Sequence, residues 1–573
     1  MKKSEFSKLK EIDFQDLLRD VIESFREISI RLEFHEVVSY LFLALVYKDL
    51  KDNKDIEGYV IANSHINEIS SLYMQKILSK VQDNFIEELA NKYDENKLKA
   101  AILFSKPEKF SEMDVHSTPE GVSNLALRLL DIKKGDKVLD MGSGVNSFLI
   151  QAGINSPEIT MNGIEVNTGS VIVANIRSLI TNLDIDVKQG NILSQDYTDL
   201  MANKVFSNPP LGMRWANIEK EVKHNKNLMK YFSKAKRTIS GDWVYALSAL
   251  LTQKQPGKTV VIMSNGGTWN KPDEFIRRKL IEKGLIEGVI TLPVNLLSHT
   301  AIDLIMMIFS QGNDRVKMVD ASEIYTNRRR LNILENEDIE RIIDAYNNET
   351  DISREVTIEE IKNQDYILNP HRYVVEDLEI ENAIRLGDVC KSINRGAMIS
   401  SKELDKLATS EETDWQYLRL QNINDGEIDE DLPYLHALDE SYEKYCIKDN
   451  NLIISKLSPY KISLTHIPGD KKILATGNLY FLELDEEKVN PIFLENYLQS
   501  EMGIAQLNRY STGTVMKNIS IRDLRKIQIP NIPIQEQNRI GEEIQLLNEE
   551  LIILQRQADI IKDKKAKIIQ EVI

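Results

Sequence analysis

Residues 137–144 have the sequence KVLDMGSG, in which a short apolar run ends in an acid and two glycines. A strand that turns sharply into a helix needs glycine there, because glycine adopts backbone angles closed to other residues and lets a ligand approach closely. A Gly-x-Gly turn alone is weak evidence, since an ordinary strand-to-helix turn has the same pattern. The stretch predicts a strand followed by a helix, with Asp140, Gly142 and Gly144 as candidate ligand contacts.

Three further apolar runs end in polar turns in the same way. Their sequences are MNGIEVN (161–167), KVFSNPP (204–210) and TVVIMSN (259–265), with helical patterns between them. Alternating buried strands and helices are typical of an open, mostly parallel sheet with helices on both faces. We therefore predict a Rossmann-like, doubly wound α/β domain whose ligands lie at the carboxyl ends of the strands.

A second acid indicates a cofactor that contains a ribose. Glu165 ends the second run about 25 residues after the first, the interval at which nucleotide-binding sheets place a carboxylate that accepts hydrogen bonds from ribose hydroxyls. Asn191, in a third turn after Gly190, could face an adenine ring. Nicotinamide and S-adenosylmethionine sites share these features, so both cofactors stay open at this point.

The fourth turn, Asn208-Pro209-Pro210, separates these alternatives. Two prolines cannot continue a central strand, so the loop is rigid and extended. It would hold the Asn208 carboxamide in a fixed direction, where its oxygen and a nearby backbone carbonyl can accept both hydrogens of an exocyclic amine. Those hydrogen bonds make the nitrogen lone pair more available for attack on a sulfonium methyl. Taken by itself, the motif is explained equally well by an ordinary Pro-Pro turn.

Together, these segments resemble the modification subunit of type I restriction-modification systems, which belongs to the amino-methyltransferases. The likeness covers roughly residues 30–375 and includes residues 116–120, 288–293 and 369–373. It implies a site-specific DNA methyltransferase that transfers a methyl group from S-adenosylmethionine to the exocyclic amino group of adenine, within a restriction-modification or related defence system. Methylation of the cytosine amino group is the close alternative.

The resemblance assigns two sets of site residues. The catalytic set is Asn208, Pro209, Pro210 and Leu211. The cofactor-binding set is Thr118, Pro119, Asp140, Gly142, Gly144, Glu165 and Asn191. Within the second set, the first two residues would lie against the methionine end of the cofactor. No metal is expected.

The chain departs from the family pattern at three positions. Asn146 stands where a further glycine is usual, Asn191 where an acid is usual, and Leu211 where an aromatic side chain stacks on the flipped base. Stacking stabilises an extruded base by roughly 1–3 kcal/mol, and leucine has no π-face. Trp215 is a candidate substitute. The alternative function is a DNA sequence-specificity protein with a weak or inactive methyltransferase domain.

The region after residue 376 consists of short β-like runs separated by Asn, Asp and Gly. It resembles one half of the specificity subunit of the same systems, most distinctively over residues 512–520 and 529–540. The resemblance implies an α+β target-recognition domain that binds double-stranded DNA. Six side chains are base-reading candidates by their chemistry alone: Lys456, Tyr460, Lys461, Arg509, Tyr510 and Lys517.

Residues 534–573 contain no proline and place Ile540, Ile544, Leu547 and Leu551 on one apolar stripe, which predicts a long amphipathic helix. The full specificity subunit of the family has two recognition domains and two paired helices, whereas this chain has one of each. We therefore predict an antiparallel homodimer through this helix. The alternative is that the helix folds back on its own catalytic domain.

The 573 residues exceed what one hydrophobic core accommodates. We predict an N-terminal helical domain (1–110), a methyltransferase domain (111–375), a target-recognition domain (376–533) and a spacer or dimerisation helix (534–573). No run of eighteen apolar residues and no signal-peptide pattern is present, so we expect no membrane contact and a cytoplasmic location. Two cysteines are too few for a disulfide framework or a structural zinc site.

The net charge of -17 argues against DNA binding when the chain is taken as a whole. Residues 220–237 are the exception, because they hold seven Lys or Arg residues against the single acid Glu221. A solvated helix face would have the same composition. Its position directly after the Asn-Pro-Pro turn favours contact with the DNA backbone. A separate restriction or translocase subunit is a further possible partner.

Overall fold

The computed structural model describes residues 1–27, 32–49, 83–107, 117–156, 158–233, 235–236, 238–297, 300, 302–329, 331–374, 380–424, 426–429, 431–467, 471–513 and 517–570. The chain forms two compact units, Met1–Val374 and Val375–Ile573. In the described part, no helix has both the length and the apolarity that a bilayer span requires.

The first unit is built on a nine-stranded sheet. Its strands are β1 (Lys137–Met141), β2 (Thr160–Glu165), β3 (Ile185–Gln189), β4 (Ala202–Ser207), β5 (Gln253–Ser264), β6 (Ile286–Thr291), β7 (Leu304–Phe309), β8 (Arg315–Asp320) and β11 (Ser353–Thr357). Their order in the sheet is β11-β8-β6-β7-β5-β4-β1-β2-β3. A small hairpin joins β9 (Thr326–Arg328) to β10 (Leu331–Ile333). The strand order reverses between β1 and β4, and ligands of doubly wound sheets bind at such a switch point.

Most strand pairs are parallel, but β7 runs antiparallel to both of its neighbours, β5 and β6. The edge strand β11 is also antiparallel to β8. All six residues of β7 are buried. A strand covered on both faces is a continuous apolar run in either direction, so its sequence does not reveal the reversal.

Both faces of the sheet are covered by helices, as the alternation of strands and helices predicts. Consecutive residues of β1 show this, since Val138 belongs to one apolar cluster and Leu139 to the other. The helices after the N-terminal region are Glu120–Leu130, Ser147–Asn155, Thr168–Thr181, Trp215–Val222, Lys226–Phe232, Asp242–Leu250, Gly266–Trp269, Glu274–Glu282, Asn336–Asn347, Ile358–Asn363 and His371–Val374. The predicted doubly wound α/β fold is confirmed.

The N-terminal region is helical where it is described, and the helices described there are Lys3–Lys10, Gln15–Glu27, Phe34–Asp49, Asp83–Lys92 and Glu95–Phe104. They pack against the sheet domain through the helix Thr168–Thr181, whose residues Ile172 and Ile176 join their core. From the same helix, buried Arg177 donates to the carbonyls of Ile102 (2.9 Å) and Ser105 (2.6 Å). These helices therefore share a core with the domain that follows.

The second unit has two main sheets. The strands of this unit are β12 (Ala383–Arg385), β13 (Cys390–Arg395), β14 (Ala408–Thr409), β15 (Trp415–Leu418), β16 (Ile423–Asn424), β17 (Glu427–Ile428), β18 (Tyr434–Leu435), β19 (Cys446–Ile447), β20 (Asn451–Ser455), β21 (Ile462–Leu464), β22 (Lys472–Ala475), β23 (Leu479–Leu484) and β24 (Gln528–Pro530). One main sheet has the strand order β13-β23-β20-β21, and the other has the order β14-β18-β15-β22-β19. Pairing of β12 with β24 brings together the two ends of the α+β part of the unit.

The helices of the second unit are Ser401–Leu407, Pro491–Gln499, Glu501–Arg509, Ile521–Leu524 and the long helix Ile534–Gln570. Among the side chains described, the long helix is anchored near its start. The Gln537 side chain accepts from the Asn490 backbone N–H at 3.0 Å, and Asn538 accepts from the Asn490 side chain at 2.9 Å. Beyond this anchor, the residues whose burial is described up to 565 are exposed, apart from Ile540, Gly541 and Ile544.

Candidate active site

The glycine turn after β1 has the backbone conformation that its sequence predicts. Gly142 and Gly144 have φ angles of 86° and 52°, which side chains other than glycine rarely adopt. A Cβ atom at either position would have nothing within 4 Å. The turn therefore leads into the helix Ser147–Asn155 and leaves open space beside its two glycines.

Asp140 lies at the end of β1 and is only 3% exposed. Its Oδ1 has no hydrogen-bond partner in the described structure, and neither does the buried Oγ of Ser143. Burial, followed by the negative charge of Glu165, raises the pKa of Asp140 well above its ordinary value. A buried carboxylate is costly without a donor, so these two atoms fit a ligand that supplies hydrogen-bond donors.

Glu165 ends β2 and ties that strand to the glycine turn. Its Oε2 accepts from the backbone N–H of Gly144 at 2.9 Å, and its Oε1 accepts from that of Asn167 at 2.7 Å. Burial raises the pKa of Glu165, and the two backbone hydrogen bonds oppose this shift. Each carboxylate oxygen has a second acceptor position, so the residue can also accept from ribose hydroxyls.

The third turn lies beside the second. The Gly190 backbone N–H donates to the Glu165 carbonyl at 2.9 Å. The Asn191 side chain closes its own turn, because its Oδ1 accepts from the Leu193 N–H at 2.9 Å. The predicted adenine contact of Asn191 would therefore involve the rest of its carboxamide.

The Asn-Pro-Pro turn leaves the sheet at the same edge as the glycine turn. Phe206 of β4 is the parallel partner of Asp140 in β1, and the Ser207 hydroxyl donates to the Met141 carbonyl at 2.5 Å. Adjacent parallel strands that end in register place their following turns side by side. Asn208 thus lies next to the glycine turn, half-buried, with Pro209 buried behind it.

Thr118 contacts Asn208 across 90 residues of sequence. The Asn208 Nδ2 donates to Thr118 Oγ1 at 3.1 Å, which leaves the carboxamide Oδ1 as the acceptor for another group. Pro119 immediately precedes the helix Glu120–Leu130. His116, in the same motif, lies outside the described residues. Thr118, predicted from the resemblance as a cofactor contact, also fixes the orientation of Asn208.

Asp242 is a site residue that the sequence analysis missed. Its side chain is fully buried and accepts from the Gly212 N–H at 3.2 Å and the Ser264 N–H at 2.8 Å. Burial raises its pKa. It joins the loop after the Asn-Pro-Pro turn to the end of β5. An acid in the apolar helix sequence DWVYALSAL was the available signal, although an acid in the first turn of a helix is usually a cap.

We expect Asp242→Ala to lower the free energy of unfolding by about 3 kcal/mol, because the backbone donors of Gly212 and Ser264 would lose their carboxylate acceptor. Urea titration followed by circular dichroism measures this loss. The exposed acid Asp199 provides the matched control, Asp199→Ala, which should change the unfolding free energy by less than about 0.5 kcal/mol. Equal stability of both variants would show that Asp242 does not hold the loop.

Trp215 does not replace the missing aromatic at position 211, so that interpretation is wrong. Its side chain is 3% exposed and lies 5.5 Å from the Phe232 ring, measured between ring centroids. The Trp215 side chain is buried because this residue begins the helix Trp215–Val222, whose apolar face packs against the core. Leu211 is half-buried against the apolar cluster on the other face.

The lysines of the basic segment 220–237 are exposed where they are described. Lys220, Lys226 and Lys236 are exposed, while Lys223 pairs with Glu219 at 2.8 Å. Residues 234 and 237 lie outside the described part. The segment keeps its positive charge at the surface of the first unit, next in sequence to the Asn-Pro-Pro loop.

A cavity of about 840 Å³ lies beside the candidate site, and Thr118 and Ser147 contribute to its wall. Asp140, Glu165 and Asn208 are not part of that wall. The candidate site is thus a crevice at the edge of the sheet that adjoins this cavity. Among the described residues, no group of three or more His, Cys, Asp or Glu could hold a metal ion.

The reversed sheet order, the glycine turn and the adjacent Asn-Pro-Pro turn are the features of an α/β methyltransferase fold. Residues 106–382 match the model for the N-6 DNA Methylase family, and residues 380–562 match the Type I restriction modification DNA specificity domain. The chain is therefore similar to the N-6 DNA methylases over the first of these ranges and to the type I specificity domain over the second. The resemblance noted from the motifs is confirmed.

Two curated relatives are type I methylase subunits. The type I restriction enzyme MjaVII methylase subunit of Methanocaldococcus jannaschii is 29% identical over 339 residues, which are 53% of this chain and 56% of the relative. The MpnII methylase subunit of Mycoplasma pneumoniae is 25% identical over 292 residues, which are 46% of this chain and 53% of the relative. The chain therefore spans about half the length of the curated relatives it matches.

One solved structure shares the fold over much of the chain. It is a nuclease-deletion mutant of the Type ISP restriction-modification enzyme LlaGI in complex with a DNA substrate mimic. The two proteins are 11% identical with a TM-score of 0.52, and the match covers 89% of this chain and 62% of the other. At this identity, the likeness concerns the fold alone.

Proposed function

We propose that the chain is a site-specific DNA methyltransferase that transfers a methyl group from S-adenosylmethionine to the exocyclic amino group of adenine. It would act in a restriction-modification or related defence system, in the cytoplasm. The observation that carries this proposal is the register of β1 with β4, which sets the Asn208 turn beside the glycine turn. An amine held by one turn can therefore meet a methyl donor held by the other.

The residues around the glycine turn fit S-adenosylmethionine, whose sulfonium centre supplies the methyl group. Asp140 offers an unpaired buried carboxylate oxygen, and Glu165 offers acceptor positions for ribose hydroxyls. Gly142 and Gly144 leave room for close approach of a ligand. The proposal assigns Thr118, Pro119 and Asn191 to the outer parts of the same site.

Asn208 is proposed to orient and polarise the target amine. Its Nδ2 is held by Thr118, so its Oδ1 is available to accept one hydrogen of the amine. Pro209 and Pro210 keep the turn rigid, which fixes the direction of the preceding carbonyls as further acceptors. Hydrogen bonds to both amine hydrogens localise the nitrogen lone pair, and no strong base is needed. Leu211 would contact the flipped base without stacking on it.

Double-stranded DNA is the proposed substrate. The specificity domain would select the site, because the catalytic domain reaches only one extruded base. The exposed lysines of residues 220–236 are proposed to contact the phosphate backbone near that base. A separate restriction or translocase subunit is a further proposed partner.

Transfer of label from methyl-labelled S-adenosylmethionine to unmethylated DNA tests this function. We expect label in the DNA and none in the protein. Binding of DNA without transfer would favour the second candidate, a sequence-specificity protein with a weak or inactive methyltransferase domain. The observation that favours this second candidate is Leu211, which provides no aromatic face for the base.

We also propose that the long helix forms an antiparallel homodimer. Its residues Leu547, Leu551, Leu554 and Ile561 are each more than half exposed and repeat at spacings of four, three and seven. This pattern is typical of a coiled-coil seam. Its first half carries Glu542, Glu543, Glu549 and Glu550, and its second half carries Lys562, Lys564 and Lys565. Antiparallel pairing places the acidic half of one helix against the basic half of the other.

Leu551→Asp is expected to convert the dimer to a monomer. Burying an unpaired carboxylate costs several kcal/mol, so the dimer dissociation constant should rise at least about 100-fold. Light scattering on the purified protein measures the molar mass of the particles in solution, and thus distinguishes a dimer from a monomer. Arg556→Asp adds the same carboxylate on the opposite face of the helix and should leave the dimer intact. A wild-type protein that is monomeric with and without DNA would contradict the dimer.

A further inference from the structure

A cleft of about 720 Å³ opens in the second unit. It lies where the segments that follow β13 and β15 meet the turn between β22 and β23. Three cations line it, Arg395, Arg419 and Lys461, and no acid belongs to its described lining. In a chain with an excess of acids, a wall of this composition concentrates positive charge and attracts an anion.

The cations of the cleft are held in place by defined contacts. Arg395 Nε donates to the Gly477 carbonyl at 2.8 Å. The Arg419 guanidinium lies 4.6 Å from the centre of the Tyr417 ring and 3.2 Å from a carboxylate oxygen of exposed Asp405. Lys461 Nζ donates to the Ile423 carbonyl. Side chains fixed in this way lose little further entropy when they bind.

Met398 projects at the mouth of the cleft and is 73% exposed. It packs over Gly477, where an added Cβ would lie 2.9 Å from its sulfur. Ala397 bridges to Thr476, and a Cβ at Gly396 would lie 2.2 Å from the Thr476 carbonyl oxygen. These close backbone contacts hold the loop, so a large apolar side chain is kept at the surface among cations.

Two exposed carboxamides, Gln421 and Asn478, complete the cleft. A carboxamide presents a donor and an acceptor together, and this combination matches the edge of adenine in the major groove. An apolar side chain matches the methyl group of thymine, and cations match phosphates or guanine. The cleft therefore carries, within one surface, the groups that base reading requires.

We propose that this cleft is the base-reading surface of the chain. Met398, Gln421 and Asn478 contact base edges in a duplex groove, and Arg395, Arg419 and Lys461 contact the flanking phosphates. The inference rests on the proposed function, since it names the surface through which the specificity domain selects its DNA. The proposal changes the set of base-reading candidates that the sequence suggested. Of those six residues, Lys461 lines the described cleft, whereas Tyr510 is only 9% exposed and belongs to the core.

Binding of selected duplexes tests the cleft without reliance on methyl transfer. Duplexes that the wild-type full chain retains from a random-sequence library supply the preferred probe, and a scrambled duplex supplies the reference. Met398→Ala should lower the ratio of the two binding constants at least about 10-fold, as loss of a base contact does. Arg419→Gln should weaken binding to both duplexes and reduce the salt dependence by about one counterion.

Matched controls come from the same unit. Met502 is 40% exposed on the helix Glu501–Arg509, and Arg385 is exposed on β12, so Met502→Ala and Arg385→Gln should leave both binding constants unchanged. If Met398→Ala and Arg419→Gln behave like these controls while the wild type discriminates between the duplexes, the cleft is not the base-reading surface. The methyltransferase proposal would still stand. A wild type that binds no duplex would overturn the cleft and the DNA specificity together. DNA selection without methyl transfer would leave the cleft supported and remove only the catalytic proposal.

Discussion

Asn208→Ala is expected to lower the rate of methyl transfer to DNA by at least about 100-fold, the loss that follows removal of one preorganised polar group at a reacting centre. The carboxamide would no longer polarise the amine, while Asp140, Glu165 and the glycine turn would be unchanged. Cofactor affinity should therefore stay within about twofold of wild type. Single-turnover transfer of labelled methyl groups and equilibrium binding of S-adenosylmethionine measure the two quantities separately.

Asn217→Ala is the control for this variant, because Asn217 is an exposed asparagine on the helix that follows the same loop. It should transfer methyl groups at the wild-type rate. Equal rates for Asn208→Ala and wild type would remove Asn208 from the reaction. A parallel loss of cofactor affinity in Asn208→Ala would instead assign the residue to cofactor binding.

Glu165→Gln is expected to raise the dissociation constant of S-adenosylmethionine at least about 10-fold, because hydrogen bonds to a charged acceptor contribute about 1.5–3 kcal/mol. The carboxylate is proposed to accept from ribose hydroxyls, so wild-type affinity should be complete at high pH and fall as the pH drops through the pKa of Glu165. Burial raises that pKa. The loss should therefore begin at a higher pH than for an exposed glutamate.

Calorimetric titration with S-adenosylmethionine across pH measures both effects. In Glu165→Gln this part of the pH dependence should disappear, because glutamine does not titrate. Glu323→Gln changes an exposed glutamate of the same unit and should retain wild-type affinity at every pH. If Glu165→Gln bound the cofactor as tightly as wild type, Glu165 would only brace the glycine turn through Gly144 and Asn167.

The sheet could be predicted from sequence because glycine and proline mark where its central strands end. Gly142 after β1 and Pro209 after β4 restrict the chain locally, so each turn is visible within a few residues. The direction of β7 was not predictable, since six buried residues give the same pattern in either direction. The buried position of Trp215 was missed for a related reason, because the sequence of one short helix does not show which face packs inward.

The site was predictable only in its local parts. Asp140, Gly142 and Gly144 lie within one turn, whereas contact between Thr118 and Asn208 joins residues 90 positions apart. Asp242 likewise reaches Gly212 across 30 residues. Such contacts depend on how the strands are ordered in the sheet, and no spacing in the sequence encodes that order. The base-reading cleft of the second unit also combines separate turns, which explains why chemistry alone selected mostly other residues.

Nucleoside analysis of treated DNA tests the proposed chemistry most directly. Unmethylated genomic DNA is incubated with the wild-type chain and S-adenosylmethionine, digested to nucleosides and analysed by mass spectrometry. We expect N6-methyldeoxyadenosine in the wild-type sample and a background level with Asn208→Ala. Absence of any methylated nucleoside, when the same protein binds both the cofactor and DNA, would contradict methyl transfer at the Asn208 turn, and methylation confined to cytosine would contradict adenine as its target.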